Sequence, residues 1–389
     1  MRVYGVLGEL RYDSGVLRSI SRVTRVADFL SSIMVPGKRY YVRVNLMSVS
    51  RGEFIDFLRE KGVEVYGDEF LEEAVWFPVK GPFKVPIVEK RVIAYKYAAE
   101  SVYLGADLFV PGVISAKGVK RDEEVNIVSV NGDVVGYGIA VMDGEEMVRR
   151  KRGLAVRNLV SVYRVLSLRR IEGLPSNWFY EQSFPAMLTS RILDPNPGEI
   201  IIDMCAAPGG KTSHIVELSG GKALIYAFDH SNTRIKRLRE TLKKLGHLDK
   251  VRVFKADSRY LDLDYPQLRS DKILLDPPCT ALGVRPKLYD EKTYLDIINQ
   301  SLYQRQFIKV AYRLLKPGGV LVYSTCTIST EENEDNIEYA IRLGFRVDEV
   351  WRPYGMIGVR DYWFSTSVIR FLPNIHDTPG YFIAKLVKN

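Results

Sequence analysis

The sequence predicts an α/β protein built mainly on a doubly wound parallel sheet, with a small, mostly-β module and a small α/β region before it. From about residue 167, strand-like apolar runs alternate with helical patterns, which is typical of a parallel sheet with helices on both faces. Between about residues 91 and 166, short β-runs follow one another instead, and Asn131-Gly132 marks a two-residue hairpin turn. We therefore expect three parts, with bounds at 1–90, 91–166 and 167–389.

The first part contains a strand over residues 40–46, a capped amphipathic helix over 50–62 and a second strand over 74–79. A proline-bearing stretch at 80–90 then interrupts the periodicity and marks a candidate boundary. The middle part opens with a helix over 94–106, and its β-runs follow.

The third part begins with a predicted amphipathic helix over residues 178–193. Strands then end at four aspartates: Asp203, Asp229, Asp257 and Asp276. A long helix over 295–315 precedes a strand that runs to Thr325, and one more strand closes the chain. Because parallel strands place their carboxyl ends at one edge of a sheet, the residues that follow these strands should lie together.

Composition narrows the possible functions. The chain has 389 residues and a net charge of +9, which favours an anionic partner. We expect no signal peptide, since charges run through the first fifteen residues, and no membrane segment, since no apolar run approaches ~18 residues. Three scattered cysteines and four histidines have neither disulfide nor metal-ligand spacing. We predict a cytoplasmic protein that binds no metal and keeps its thiols free.

The three cysteines carry the strongest chemical signal. Each follows a strand-like run: Cys205 the first of the alternating part, Cys279 in Asp-Pro-Pro-Cys, and Cys326 in Ser-Thr-Cys-Thr. Open α/β sheets bind ligands at such strand ends. The arrangement suggests covalent chemistry, in which a thiolate adds to an electrophilic ring.

A turn of small residues between the first strand and its helix suggests a cofactor site. It lacks both the P-loop and the dinucleotide pattern, yet small residues at such a turn let a ligand approach the backbone and the helix N-terminus. Asp229 is placed to accept ribose hydroxyls and Asp257 to accept an adenine amino group. These residues predict an adenosine-bearing cofactor without a triphosphate, most simply S-adenosylmethionine. The turn comprises Cys205, Ala206, Ala207, Pro208, Gly209, Gly210 and Lys211.

The segment from Asp203 to Thr212, the two cysteine motifs and the ending at residues 376–384 resemble the Sun family of RNA cytosine-5 methyltransferases. The resemblance covers about residues 170–389. It implies a Rossmann-like methyltransferase domain that uses S-adenosylmethionine. It also implies cofactor contacts from the Cys205–Lys211 turn and from Asp229, Arg234, Asp257 and Asp276.

Carbon 5 of cytosine is too weak a nucleophile to accept a methyl group until a thiolate has added at carbon 6. A carboxyl group near ring nitrogen 3, here Asp276, would assist that addition. The residues alone leave Cys279 and Cys326 unranked. The resemblance implies attack by Cys326 and product release through Cys279, whereas the related DNA cytosine methyltransferases attack from a Pro-Cys motif, which would favour Cys279. We assign the attack to Cys326, and packing beside the cofactor turn to Cys205.

Two details around these motifs bear on the site. The family commonly has Cys-Ser-Gly after the prolines, whereas here Thr280 and Ala281 follow Cys279, so the loop over the base could differ in shape. Glu331, Glu332 and Glu334 suggest a general base, but Ser329 three residues before Glu332 favours a capping box at a helix start.

The middle part resembles a PUA domain over about 75 residues, most clearly at residues 99–130. PUA domains typically hold the terminal stem and single-stranded tail of structured RNA. The cations available for phosphate contacts are Lys117, Lys120, Arg121, Arg149, Arg150, Lys151 and Arg152. For the run at 149–152, a solvated β-turn is the alternative.

A PUA module before a Sun-family domain resembles the branch that modifies the tRNA acceptor stem. We therefore expect a monomeric tRNA cytosine-5 methyltransferase that acts near the CCA end, with residues 1–90 assisting RNA binding. Two alternatives remain open at this point. One is a ribosomal RNA methyltransferase, and the other is a PUA-type RNA-binding factor with a vestigial cofactor pocket.

Overall fold

A computed structural model describes the backbone of residues 2–4 and all of residues 8–389. The N-terminal region comprises β1 (Arg2–Tyr4), β2 (Glu9–Tyr12), α1 (Ser14–Ser21), α2 (Val26–Ile33), β3 (Arg39–Val44), α3 (Arg51–Glu60), β4 (Tyr66–Gly67) and β5 (Ala74–Pro78). The cap predicted at the start of α3 is present, and it is a capping box. The Ser50 side chain accepts a hydrogen bond from the Glu53 backbone, and the Glu53 carboxylate accepts one from the Ser50 backbone.

The middle module comprises β6 (Arg91–Ala94), α4 (Lys96–Tyr103), β7 (Leu108–Phe109), β8 (Val113–Ser115), β9 (Glu124–Val128), β10 (Val134–Ala140), α5 (Gly144–Arg149) and β11 (Leu154–Ser161). Its six strands form one sheet in the order β7-β11-β10-β9-β6-β8. The β9–β10 hairpin is present, but its turn differs from the prediction. Gly132 alone has a positive φ, +91°, and the loop closes from Ser129 to Asp133, so this is a longer turn than Asn-Gly suggested.

The remainder of the chain begins with β12 (Phe179–Glu181), α6 (Phe184–Leu193), β13 (Ile200–Asp203), α7 (Gly210–Leu218), β14 (Leu224–Asp229), α8 (Asn232–Leu245), β15 (Val251–Lys255) and α9 (Leu261–Asp264). It continues with β16 (Ser270–Leu275), β17 (Tyr289–Lys292), α10 (Tyr294–Leu314), β18 (Leu315–Thr325), α11 (Glu334–Leu343), β19 (Phe345–Asp348), β20 (Val368–Phe371), α12 (Pro373–His376) and β21 (Tyr381–Lys388).

The large sheet has the order β15-β14-β13-β16-β18-β21-β19, with β20 also paired to β21. The five strands from β15 to β18 are parallel, as predicted, while β21 runs antiparallel to β18, β19 and β20. Successive residues of β13 point to opposite faces, and each face is covered by helices. Ile201 packs in a cluster with residues of α6, α7 and α8, and Ile202 in one with residues of α10 and α11.

The helix predicted over residues 178–193 is wrong in its first part. Residues 179–181 form β12, which pairs with β3 in an N-terminal sheet of order β12-β3-β5-β4. Helix α6 begins only at Phe184, where Pro185 occupies the first turn. Most of α6 is buried, so it is a core helix rather than an amphipathic one. The middle module is therefore inserted between strands of one sheet.

The N-terminal region also packs on the cysteine-bearing loops. Strand β2 pairs with β17 in parallel, and the cluster around α1 and α2 includes Leu282 and Ile328, which follow Cys279 and Cys326. All three parts of the chain thus meet at the carboxyl edge of the large sheet.

Candidate active site

Two of the three strand-end thiols come together. β13, β16 and β18 are neighbours, so the loops that follow them share one edge of the sheet. Cys279 Sγ lies 3.4 Å from Cys326 Sγ, and both thiols are free. Cys205 does not join them. Burial raises the pKa of its thiol well above the usual range, so it stays protonated beside the turn.

The two paired thiols differ in their acidity. Donation of a hydrogen bond to Cys326, together with burial, raises the pKa of Cys279 well above its usual value. Acceptance of that bond lowers the pKa of Cys326; burial and Asp276 oppose this shift, and the positive charges of Lys211 and Lys287 support it. Because the thiolate is the nucleophilic form, Cys326 is the more reactive sulfur.

Asp276 lies at the centre of the site and is held by three groups. Its Oδ2 lies 2.5 Å from Lys211 Nζ, and its Oδ1 accepts hydrogen bonds from Ser324 Oγ at 3.0 Å and from the Tyr381 hydroxyl at 3.4 Å. Burial lowers the pKa of Lys211, but Asp276 and Tyr381 raise it more strongly, so the amine stays charged. Asp276 is thereby fixed in the loop that carries Cys279.

The predicted cofactor turn lies beside Asp276. Gly209 has φ +108°, and a side chain there would meet Leu238, while one at Gly210 would meet the Tyr180 ring. Both positions therefore require glycine, as a close approach of backbone to neighbouring elements demands. Below the turn, Thr212 Oγ1 donates to the buried Asp203 at 2.7 Å, and burial raises the pKa of Asp203 to about 7.

A cavity of about 240 Å³ opens at this turn. The turn and Asp276 line one side, and residues 180–183 of β12 and its following loop line the other. Gln182 contributes a buried Nε2 that has no hydrogen-bond partner among the described residues. The small residues of the turn leave space that larger side chains would fill, and the unpaired Gln182 donor belongs to the same cavity. This combination fits a polar adenosine-type ligand.

The predicted ribose and adenine carboxylates both face arginines. Asp229 is buried and lies 2.9 Å from Arg234 Nε, and the Ala207 backbone N–H points to it at 3.4 Å. Asp257 lies 2.6 Å from Arg259 Nη2, and Arg259, by hydrogen bonding, lowers the pKa of Asp257. Neither carboxylate lines the 240 Å³ cavity, although Asp229 contacts the turn that does.

A second cavity, of about 360 Å³, is lined by one of the two paired thiols. Cys279, Thr280 and Ala281 line it together with Lys96, Tyr97 and Glu100 from α4 of the middle module; residues 287 and 290–292 add a charged wall. The α4 residues were not predicted for this site, because they belong to a different part of the chain. Lys287, eight residues after Cys279, is the cation of this wall that lies nearest to the cysteine motif in sequence.

The charged wall of this cavity is centred on Asp290. Its carboxylate accepts hydrogen bonds from Lys287 at 2.8 Å, from the Tyr12 hydroxyl at 2.9 Å and from Lys96 at 3.1 Å. Burial opposes ionisation, but the lysines lower the pKa of Asp290 to about 2. Burial also raises the pKa of Glu100 to about 7. Asp290 thus joins the N-terminal region, the middle module and the cysteine loop.

In the loop after Cys279, Ala281 stands where the Sun family commonly has glycine. Its φ of +55° lies in the left-handed region, which favours glycine. The next glycine, Gly283, donates to the Cys326 carbonyl at 3.0 Å and accepts from Gly380 at 2.8 Å. A side chain at Gly283 would collide with Gly380. The displaced glycine therefore serves a close contact between the cysteine loops and the segment before β21.

The capping box predicted at Ser329 and Glu332 is wrong. Helix α11 begins at Glu334, and its N-terminal residue Asn333 makes no side-chain cap. Glu332 is instead fully buried and accepts hydrogen bonds from Ser329 Oγ, the Thr280 backbone and Gln304, each at 2.9 Å. Glu331 accepts from Ser19, and Glu334 forms a buried ion pair with Arg370.

The cations predicted to contact RNA lie on one surface of the middle module. Two hydrogen bonds join the segment at 117–121 to the start of helix α5. The Gly144 N–H donates to the Val119 carbonyl, and the Arg121 N–H donates to the Asp143 carboxylate. Arg150 pairs with Glu146 at 2.9 Å, and Lys120 lies 3.5 Å from Asp143. Arg149 ends α5, so the run at 149–152 is a helix end and a bend rather than a plain β-turn.

Within residues 2–4 and 8–389, no helix is long and apolar enough to cross a membrane. The same residues contain no group of three or more side chains placed to hold a metal ion.

The profile of the family described as 16S rRNA methyltransferase RsmB/F matches residues 190–387, about half of the chain, and that of the PUA domain matches residues 90–161. The chain belongs to the RsmB/F methyltransferase family. This confirms the predicted class of enzyme, the Rossmann-like domain and the PUA domain within the chain. The RsmB/F match covers both cysteine motifs and the cofactor turn.

Individual proteins extend this similarity to the whole chain. A tRNA (cytosine(72)-C(5))-methyltransferase of Pyrococcus horikoshii is 43% identical over 92% of each chain. The human tRNA (cytosine(72)-C(5))-methyltransferase NSUN6 is 32% identical over 70% of this chain and 63% of its own. The crystal structure of NSun6 from P. horikoshii with SFG superposes with a TM-score of 0.87, at 41% identity over 97% of this chain and 98% of that one.

Proposed function

We propose that this RsmB/F enzyme methylates carbon 5 of cytosine 72 in tRNA. The observation that carries the proposal is the Cys279–Cys326 pair, 3.4 Å apart, on loops that reach both cavities: Cys279 lines the cavity shared with the PUA domain, and Asp276, three residues earlier, lines the cavity at the cofactor turn. A reaction between a bound methyl donor and an RNA base requires such an arrangement. The P. horikoshii relative named for this reaction aligns with all but a small part of the chain.

S-adenosylmethionine, of which SFG is an analogue, supplies an electrophilic methyl group when bound. The residues that would hold it are the Cys205–Lys211 turn and Gln182 in the cavity, with Asp229 and Arg234 beside the turn and Asp257 at the next strand end. The turn brings backbone and a helix N-terminus to the ligand, and the unpaired Gln182 donor gains an acceptor.

Cys326 is the nucleophile in this proposal. Its thiolate adds to carbon 6, and Asp276, held by Lys211 and Ser324, lies beside the ring at nitrogen 3. Addition moves the negative charge from sulfur into the ring and makes carbon 5 nucleophilic. Carbon 5 then takes the methyl group from the sulfonium of the donor, whose sulfur–methyl bond breaks, so the ring adduct and the spent donor are both neutral. Cys326 Sγ is now a neutral thioether.

Cys279 acts in product release. While Cys326 is a thiolate, the hydrogen bond to it raises the pKa of the Cys279 thiol. Once Cys326 is bonded to carbon 6 that cause disappears, while burial and Glu332 still favour the protonated thiol. In this proposal Cys279 then gives its proton to solvent in the cavity it lines. The Cys279 thiolate then takes the proton from carbon 5, the carbon 5–carbon 6 double bond re-forms, and Cys326 leaves as a thiolate. The starting protonation states are restored, with one proton released to solvent.

The cavity lined by Cys279 is the proposed site of the target base and its neighbours. Tyr97 lines it although 77% of its side chain is exposed, and an exposed aromatic ring at an RNA site is a platform for a splayed base. The cations at 117–121 and 149–152 lie on the same PUA module and would contact phosphates of the acceptor stem and CCA tail.

The extent of the similarities supports tRNA over ribosomal RNA. A probable ribosomal RNA small subunit methyltransferase B of Synechocystis, 35% identical, aligns with 57% of this chain, whereas the P. horikoshii tRNA enzyme aligns with 92%. The paired thiols also disfavour a vestigial site. We propose the parts 1–90, 91–166 and 167–389 as an RNA-assisting region, the PUA domain and the catalytic domain of a cytoplasmic monomer.

The proposal is tested by incubating the full-length enzyme with labelled S-adenosylmethionine and a tRNA transcript that carries cytosine 72. Label should enter the transcript, and bisulfite sequencing should map it to position 72. A matched transcript with uracil at position 72 should remain unlabelled. Labelling of small-subunit ribosomal RNA, with none in tRNA, would overturn the choice of substrate.

A further inference from the structure

Cys279 is held between two hydrogen-bonding side chains that no catalytic step so far uses. Gln304 Nε2 donates to the carbonyl of Pro278, immediately before Cys279, at 2.9 Å. Glu332 accepts from the backbone N–H of Thr280, immediately after Cys279, at 2.9 Å. Gln304 also donates to Glu332 at 2.9 Å, so both anchors are joined.

A chain of hydroxyl groups extends this anchor to the other cysteine. Thr280 Oγ1 donates to Glu332 Oε1 and lies 2.9 Å from Thr327 Oγ1. Because the single proton of the Thr280 hydroxyl is given to the carboxylate, the Thr327 hydroxyl must donate to Thr280. Thr327 directly follows Cys326. The two residues that follow the two thiols are thus bonded to each other and to one buried carboxylate.

The carboxylate has the right chemistry for this task. Glu332 is fully buried and receives donors from Thr280 N, Thr280 Oγ1, Gln304 Nε2 and Ser329 Oγ. Burial raises the pKa of Glu332, and these donors oppose that rise. An ionised carboxylate only accepts hydrogen bonds, so in the ionised form all four bonds are satisfied at once. A glutamine here would turn an NH₂ group towards these donors, although its size is nearly the same.

We infer that Glu332, acting through Thr280 and Thr327, is a positioning residue that holds Cys279 against Cys326 for product release. The inference rests on the proposed function, since it assigns the release step to Cys279. It also explains the Thr280 hydroxyl, which would be kept by serine, the residue common at this place in the Sun family.

Methyl transfer and product release should respond differently to loss of this anchor, whereas a general structural defect would slow both steps. Cys326 follows β18, within the large sheet, and keeps Lys211 and Asp276 as neighbours when Thr280 is changed, so its attack loses at most the hydrogen bond from Cys279. Cys279 lies on a loop and depends on the anchor. Misplacement of a reacting group by about 1 Å costs on the order of 10²-fold in rate. Loss of the anchor should therefore slow release much more than the first methyl transfer.

The test compares the first turnover with steady-state turnover in the full-length enzyme, using tRNA with cytosine 72 and labelled S-adenosylmethionine. In Thr280→Val and in Glu332→Gln, the first-turnover burst should stay within a few-fold of wild type. Steady-state turnover should fall about 10²-fold, and a protein–RNA adduct should accumulate on a denaturing gel. Thr280→Ser should restore turnover, and Thr189→Val, which removes a buried hydroxyl in α6, should behave as wild type.

Normal steady-state turnover in folded Thr280→Val and Glu332→Gln would overturn the inference, and so would equal loss of the burst and of turnover. Thermal melting monitors folding. If the other variants unfold, Thr327→Val is tested instead, because it leaves every hydrogen bond to Glu332 in place. Unchanged steady-state turnover in Thr327→Val would count against the inference. Failure of the wild-type enzyme to methylate tRNA would instead refute the proposed function.

Discussion

The loops that carry Cys326 and Cys279 look alike in sequence but occupy different surroundings. Cys326 directly follows β18, and the charge of Lys211 lowers the pKa of Cys326. Lys211 also forms an ion pair with Asp276 beside the cofactor turn. Cys279 lies four residues beyond β16, is bounded by Gln304 and Glu332, and lines the cavity shared with the PUA domain. Asp276, Lys211 and Lys287 act on Cys326, whereas Glu332 acts on Cys279. The hydrogen bond from Cys279 to Cys326, together with these charges, ranks two thiols that their motifs leave equal.

Replacement of Cys326 should have the largest effect. In our proposal Cys326→Ala removes the atom that adds to carbon 6, so no activated ring forms. Loss of a nucleophile in a covalent enzyme costs on the order of 10⁶-fold in rate. We expect no methyl transfer and no adduct, measured with labelled S-adenosylmethionine. Ser219→Ala is the control and should retain activity, since it removes a buried hydroxyl at the end of α7 that lines neither cavity.

Replacement of Cys279 should block a later step. Cys279→Ala leaves attack and methyl transfer possible but removes the group that takes the carbon 5 proton. One methyl group should be transferred per enzyme, after which a covalent protein–RNA band should persist on a denaturing gel. If Cys326→Ala forms this band and Cys279→Ala does not, the two roles are reversed.

The sequence was informative where chemistry is local and uninformative where it depends on distant contacts. The alternation of strands and helices predicted the large sheet, and the cofactor turn and both cysteines follow the strands that it indicated. The last strand was predicted, but its antiparallel direction and the strand at 179–181 were missed, because pairing with distant partners outweighed the local pattern. Glu332 looked like a helix cap, since nothing in the sequence shows that Thr280, 52 residues away, binds its carboxylate.

The PUA cations should affect binding and not chemistry. Changing Arg149, Arg150, Lys151 and Arg152 together to alanine should weaken tRNA affinity in a gel-shift assay. Each lost phosphate contact should reduce the slope of log K against log salt concentration by about 0.7–0.9. Removal of the CCA tail should also weaken binding of the wild-type enzyme. Unchanged affinity in both experiments would contradict a role for this surface in tRNA binding.

The smallest expected effect concerns the cavity beside Cys279. Tyr97→Ala removes a ring that we propose stacks on a base, and such contacts contribute about 1–3 kcal/mol each. The KM for tRNA should rise about tenfold with little change in kcat. Tyr95→Ala is the matched control, because that side chain is 55% exposed on the same module and does not line the cavity. Equal effects of both variants would remove Tyr97 from the substrate site.

The difference between the two thiols is tested most directly by locating the covalent bond. The wild-type enzyme would be incubated with S-adenosylmethionine and a tRNA that carries 5-fluorocytosine at position 72. Because 5-fluorocytosine has no proton on carbon 5, the covalent adduct cannot be resolved by proton removal and should persist. Peptide mass spectrometry should find the nucleotide joined to Cys326 through a thioether, with Cys279 unmodified. A thioether on Cys279, or on neither sulfur, would contradict the account.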